Sequence, residues 1–309
     1  MPTDPVTADV EQGIQRLVAV ILGRRPQLEG IVRPFAALFS EKARVAGALK
    51  DDLNATHCDV SGTRLAEGIP VLAGISFGFL TPALERAFAA LVPAVKAWFP
   101  AIVPELDGIE IARRHASLDL SQLAEEYVQG SLKGLHEAPA LSEVGRQGLG
   151  FVVQLVLSAV LQSLAPSFAE QVREVHWDRG YCPVCGSLPS ISYLSKTEAA
   201  SSEFLVGGGG QRYLHCALCG HDWRVRRQLC AACECEDNDQ HLYFQVPAVA
   251  GERVDVCRHC GHYLPCIDLR ETDIAFHLDT AAVGMAHLDM LAQEKGFNPM
   301  VRAPWNTFE

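Results

Sequence analysis

From Val10 to about His176 the apolar residues recur at three- and four-residue intervals, the spacing of helices that bury one face. The pattern predicts helices over Val10–Leu22, Arg33–Asp51, Pro82–Trp98, Ser121–Gly134, Gly145–Leu164 and Pro166–Val175. Leu91, Val95, Trp98 and Phe99 form one core-facing stripe, with Pro93 inside it, so a kinked or split helix is expected there. Ser121 is the expected N-cap of its helix, with Glu125 and Glu126 following. Asn54–Pro70 is polar and punctuated by Gly and Pro, so it reads as a long loop, with His57 a surface histidine and Cys58 a stray thiol. No spacing in this half suggests catalysis.

Gly148–Ala165 is the most apolar stretch, but Gln154, Ser158 and Gln162 recur every four residues and draw a polar stripe along it. Its uninterrupted apolar run is shorter than a bilayer requires. A buried core helix is expected, with no stable membrane insertion.

After His176 the period changes. Short β-branched or aromatic runs follow at Ile191–Leu194, Glu203–Val206, Arg212–His215, Trp223–Arg227, Leu242–Val246 and Arg253–Val256, separated by turn residues. The tetraglycine Gly207–Gly210 lacks the Lys-Ser/Thr and helix of a phosphate loop and reads as a hairpin turn. Helical spacing returns from about Leu278 to Lys295, ended by Gly296 and Asn298-Pro299.

The fold class that follows is α+β. A mostly helical domain (1–177) precedes a ribbon domain (178–270, with modules at 178–228 and 229–270) and a C-terminal helix and tail (271–309).

Composition narrows the function. The 309 residues carry a net charge of −11 and are 49% hydrophobic, which suits a globular chain with a sizeable core. That charge argues against nucleic acid or an anionic membrane as partner. The ribbon region has nine Lys and Arg against eleven Asp and Glu, so it too is a poor nucleic-acid reader. Arg224, Arg226 and Arg227 form a local basic strand balanced by Glu234, Glu236, Asp237 and Asp239. The N-terminus shows neither the basic nor the apolar region of a signal peptide. A cytoplasmic location is therefore expected, where cysteines stay reduced and bind metal or do redox work.

The chemistry lies in four Cys-x-x-Cys pairs: Cys182/Cys185, Cys216/Cys219, Cys230/Cys233 and Cys257/Cys260. Eight thiols in four knuckles supply two tetrahedral four-sulfur sites, each metal held at about 2.3 Å. Gly186, Gly220 and Gly261 follow three of the pairs, where the chain must turn with positive φ; Glu234 follows the third. Pairing in chain order, first with second and third with fourth, gives two zinc-ribbon or rubredoxin-like modules in tandem. Cys235 and Cys266 are left over, although Cys235 could replace Cys233 as a ligand. His215, His221, His259 and His262 lie within or beside knuckles, but eight thiols make them unnecessary as ligands. Spacing does not choose the metal: zinc would be structural, iron redox-active.

The runs CPVCGSLP, LHCALCGHDWRVRRQLCAACE, VDVCRHCGHYLPCID and HLDMLAQEKGF, taken in order, resemble the family of the formate dehydrogenase accessory protein FdhE over about 180–297. The resemblance implies a cytoplasmic, non-catalytic maturation factor that engages the catalytic subunit of respiratory formate dehydrogenase. It also implies two mononuclear ions per chain, iron favoured and zinc the alternative, at the eight knuckle cysteines. A homodimer is compatible with the reading. The competing expectation is an iron-dependent, rubredoxin-like electron-transfer protein, with a nucleic-acid-binding ribbon a distant third.

Overall fold

The structure, a computed structural model, describes residues 5–53, 58, 60–115, 118–131, 133–136, 143–195, 210–246, 249, 251–271 and 276–307. The expected strand Glu203–Val206, His57 and Gly207–Gly209 of the tetraglycine lie outside the described residues.

The helical half contains α1 (Pro5–Arg24), α2 (Glu29–Leu53), α3 (Gly62–Ala66), α4 (Thr81–Trp98), α5 (Val103–Arg114), α6 (Leu120–Val128), α7 (Lys133–His136), α8 (Glu143–Leu164) and α9 (Ala169–Glu174). Two of these fall where no helix was expected. One is α3, inside the stretch read as loop and capped by Ser61, whose side chain accepts from the Arg64 N–H. The other is α5, which buries Leu106, Ile109 and Ala112 behind an entry punctuated by Pro100 and Pro104. The helix α4 runs through Pro93 without splitting, because its buried face, Leu84, Ala87, Phe88, Leu91, Val92 and Val95, packs on both sides of the proline. Trp98 leaves that face and is 45% exposed. The N-cap of α6 is Asp119, whose carboxylate accepts from the Ser121 and Gln122 N–H groups, so Ser121 stands inside the first turn.

The strands are β1 (Pro189–Leu194), β2 (Arg212–Cys216), β3 (Asp222–Val225), β4 (His241–Gln245), β5 (Glu252–Cys257), β6 (His262–Asp268) and the two-residue β7 (Asn298–Pro299). The sequence reading lacked β6 and β7. Both three-stranded ribbons are antiparallel, and they join edge to edge where β1 runs parallel to β6, with Ser192 opposite Cys266. One sheet results, in the order β3-β2-β1-β6-β5-β4, with β7 beside β6. Cys266 is buried at that join, far along β6 from its knuckle.

The expected C-terminal helix is two, α10 (Leu278–Gly284) and α11 (Ala286–Glu294), which meet at Met285. His277 caps α10 by accepting from the Thr280 N–H.

Two cores result. One gathers α4, α5, α6 and α8 with the first ribbon, including Cys182, Cys185, Cys216 and Cys219. The other packs α1 and part of α2 against the second ribbon, α10 and α11. Gly78–Trp98 and Gly145–Glu174 are long and apolar enough to cross a membrane by length and composition alone. In the second, 72% of the apolar window is buried inside the fold, as a core helix requires.

Candidate metal centres

All four knuckles close in the same way. The fourth residue after the first cysteine turns back, and its N–H donates to that cysteine's carbonyl: Gly186 to Cys182 at 2.9 Å, Gly220 to Cys216 at 3.3 Å, Glu234 to Cys230 at 2.8 Å and Gly261 to Cys257 at 2.9 Å. Each closing residue has positive φ, from +56° at Glu234 to +80° at Gly186. Glu234 is the lone non-glycine with positive φ among the described residues. Its carboxylate compensates by accepting from the Gly180 N–H at 3.2 Å and pairing with Arg179 at 3.4 Å, which ties the third knuckle to the approach of the first.

The turns bring the sulfurs together in chain order. Cys182, Cys185, Cys216 and Cys219 form one cluster, and Cys230, Cys233, Cys257 and Cys260 the other. Across the first cluster the Sγ atoms of Cys182 and Cys219 are 3.5 Å apart, and those of Cys185 and Cys216 are 3.4 Å apart. Across the second, Cys230 to Cys260 is 3.7 Å and Cys233 to Cys257 is 3.9 Å. A tetrahedron with metal–sulfur bonds of about 2.3 Å has edges of about 3.8 Å, so both clusters could hold a metal ion with small adjustments. The thiols are all free rather than bridged.

The two clusters differ in setting. All four cysteines of the first are buried, and the helical half clamps them. The N–H groups of Val71 and Leu72 donate to the Pro183 and Val184 carbonyls, both at 2.9 Å, and Gln162 of α8 lies against Gly220. The N–H groups of Leu218 and Cys219 point at the Cys216 sulfur at 3.4 Å. In the second cluster Cys233 and Cys260 are half-buried.

Burial and mutual hydrogen bonding split the thiol acidities of the sealed cluster. Hydrogen bonds from Cys182, Cys216 and Cys219 hold the Cys185 thiol well below its ordinary pKa, while burial pushes Cys182 and Cys219 well above theirs. A divalent cation would let all four ionise together.

Two of the neighbouring histidines are occupied and a third is exposed. His215 donates from Nδ1 to Asp222 at 2.6 Å, and its Nε2 lies 3.3 Å from Asp279, so neither nitrogen is free. Burial disfavours its cation, but the two carboxylates outweigh that and push it up to about 10. His262 donates to the Cys260 carbonyl at 3.0 Å, and His259 is exposed. Arg226 pairs with Asp178 and Glu236, both at 2.5 Å, and of the two only Glu236 is among the acids expected to balance it. One residue the sequence reading missed is His241. It stands opposite Cys257 in the β4–β5 ladder and gathers with Cys235 and Cys257. The signal available was a histidine opening the strand six residues after Cys235.

Comparison with known proteins gives a consistent picture. Residues 181–227 match the family model "FdhE, central domain". The chain is 33% identical to "Protein FdhE homolog" of Aquifex aeolicus over 148 residues, 47% of this chain and 49% of that one. It is 33% identical to "Protein FdhE" of Salmonella choleraesuis over 141 residues, 45% of this chain and 41% of that one. The match thus spans half or less of these curated relatives. The crystal structure of the FdhE protein from Pseudomonas aeruginosa shares the fold, with a TM-score of 0.63 at 20% identity over 96% of this chain and 95% of that one.

Proposed function

We propose, from the likeness to FdhE proteins, that this chain is a cytoplasmic accessory factor that binds the catalytic subunit of a formate dehydrogenase and supports its assembly or activation. The observation that carries the reading is the pair of four-sulfur clusters, one of them inside the matched FdhE central domain, on a fold shared with an FdhE protein. Cys182, Cys185, Cys216 and Cys219 would hold one ion, and Cys230, Cys233, Cys257 and Cys260 the other. Zinc there would supply folding energy, and iron would add one-electron chemistry. The rest falls to the chain itself. The knuckle N–H groups orient the sulfurs, the helical half excludes water from the first cluster, and the surface around the second is left accessible to a client. On this reading the chain acts by docking rather than catalysis.

A second reading, rubredoxin-like electron transfer, draws support from the half-buried Cys233 and Cys260, which bring the second cluster close to solvent. Elemental analysis and a visible spectrum of the purified chain separate the two. Colourless zinc removes electron transfer, and iron with thiolate charge-transfer bands that bleach on reduction retains it. The accessory role itself is tested by co-purification with a formate dehydrogenase catalytic subunit, and by formate dehydrogenase activity in cells lacking this chain. Undiminished enzyme activity in such cells would end the reading.

A further inference from the structure

We propose that Cys235 and His241, together with the Cys257 sulfur, form a third metal-ion position fused to the second four-cysteine cluster, so that Cys257 bridges two ions. The inference rests on the reading of that cluster as a metal site. The donor atoms of Cys235, His241 and Cys257 all lie within 4.8 Å of one another. Backbone contacts fix the arrangement. The Cys230 N–H donates to the Cys235 carbonyl at 3.0 Å, which holds Cys235 against its own knuckle. His241 faces Cys257 across the β4–β5 ladder.

The histidine is set up as a ligand. Its Nε2 is buried and has no hydrogen-bond partner among the described residues. An unpartnered imidazole nitrogen gathered with two cysteine sulfurs is placed as a metal-binding histidine would be. Left unligated, that nitrogen would be a buried polar atom without compensation.

Charge favours the shared sulfur. Four thiolates around one divalent ion carry a net −2; a further divalent ion with the Cys235 thiolate brings the assembly to −1. Two sulfurs and one nitrogen leave a tetrahedral ion one open position, the pattern of reactive rather than structural sites. His241, Cys230 and Cys257 line a cavity of about 390 Å³ that gives an ion a way in.

The test uses the full chain reconstituted with two equivalents of Zn²⁺ and then titrated with Co²⁺ under reducing conditions. The expected result is one further equivalent bound, with cobalt–thiolate absorption and both zinc ions retained. Cys235→Ser and His241→Gln should each abolish that equivalent while still holding two zinc ions, which also shows that the variants fold. No cobalt–thiolate absorption in the unaltered chain, or equal absorption in both variants, would overturn the third position. Failure to hold two zinc ions at the outset would instead refute the four-cysteine reading.

Discussion

Lys42 of α2 and Asp279 of α10 form a buried ion pair, Nζ to Oδ2 at 2.7 Å, with side-chain exposures of 5% and 10%. The other oxygen of Asp279 faces His215, which precedes the knuckle cysteine Cys216 in β2, and Lys42 also donates to Ser158 of α8 at 3.3 Å. One carboxylate thus fastens the helical half to the first ribbon. Removing one partner of a buried pair costs more than the pair contributes, because the survivor stays charged and dry. Lys42→Met should therefore destabilise the protein by about 3 kcal/mol in urea unfolding. The double variant Lys42→Met/Asp279→Leu should recover part of that loss. Equal stability of Lys42→Met and the unaltered protein would show that the pair does not hold the halves together.

Asp289 gives stability a pH dependence of its own. It is 1% exposed, and burial pushes its pKa up to about 7 against the lowering effect of the nearby Tyr263 hydroxyl. The folded state therefore binds a proton that the unfolded state releases near pH 4. Stability from this group is full below about pH 4 and is lost as pH rises through about 7. Asp289→Asn keeps the shape without the charge and should stabilise the protein at pH 8 by up to about 4 kcal/mol. It should do little at pH 4. Denaturant midpoints at the two pH values decide the matter.

The sequence revealed what is local and left out what is made between elements. Knuckle pairing was legible because a Cys-x-x-Cys turn and its trailing glycine are set by neighbouring residues alone, and Gly186, Gly220 and Gly261 all have positive φ. The amphipathic stripes of α2, α4 and α8 were legible for the same reason. The fusion of the two ribbons through β1 and β6 was not, since it depends on a parallel pairing of segments more than seventy residues apart. Nor was the polar stripe of α8 interpretable beforehand. Ser158 and Gln162 turn out to face Lys42 and the second knuckle. His241 escaped notice because its relation to Cys257 exists only in the ladder.

Gly180 is a seam between the two modules. A Cβ there would sit 2.0 Å from the Ala231 carbonyl oxygen, and neither backbone can yield cheaply. Gly180→Ala should therefore push the third knuckle away from the first, costing about 2 kcal/mol or more and weakening metal retention at the second cluster before the first. Gly13→Ala in α1, where nothing lies within 4 Å, is the control and should stabilise by about 0.5–1 kcal/mol. Thermal unfolding with metal analysis of both variants tests the contrast; a Gly180→Ala protein that keeps both ions and its melting temperature would contradict the seam.

The unequal burial of the clusters predicts that a chelator strips them in two stages. A metal leaves by stepwise exchange of its thiolates for an incoming ligand, which requires access to the sulfurs. Cys233 and Cys260 offer that access in the second cluster, whereas all four cysteines of the first lie behind Val71, Leu72 and Gln162. Excess chelator should remove one equivalent quickly and the other only as fast as the protein opens. Cys257→Ser should eliminate the fast phase and leave the slow one; Cys182→Ser should do the reverse and should also destabilise the helical core that surrounds its site. Release followed with a metal-binding dye separates the phases. A single phase, or a fast phase that survives Cys257→Ser, would mean that burial in the resting fold does not govern access to the ions.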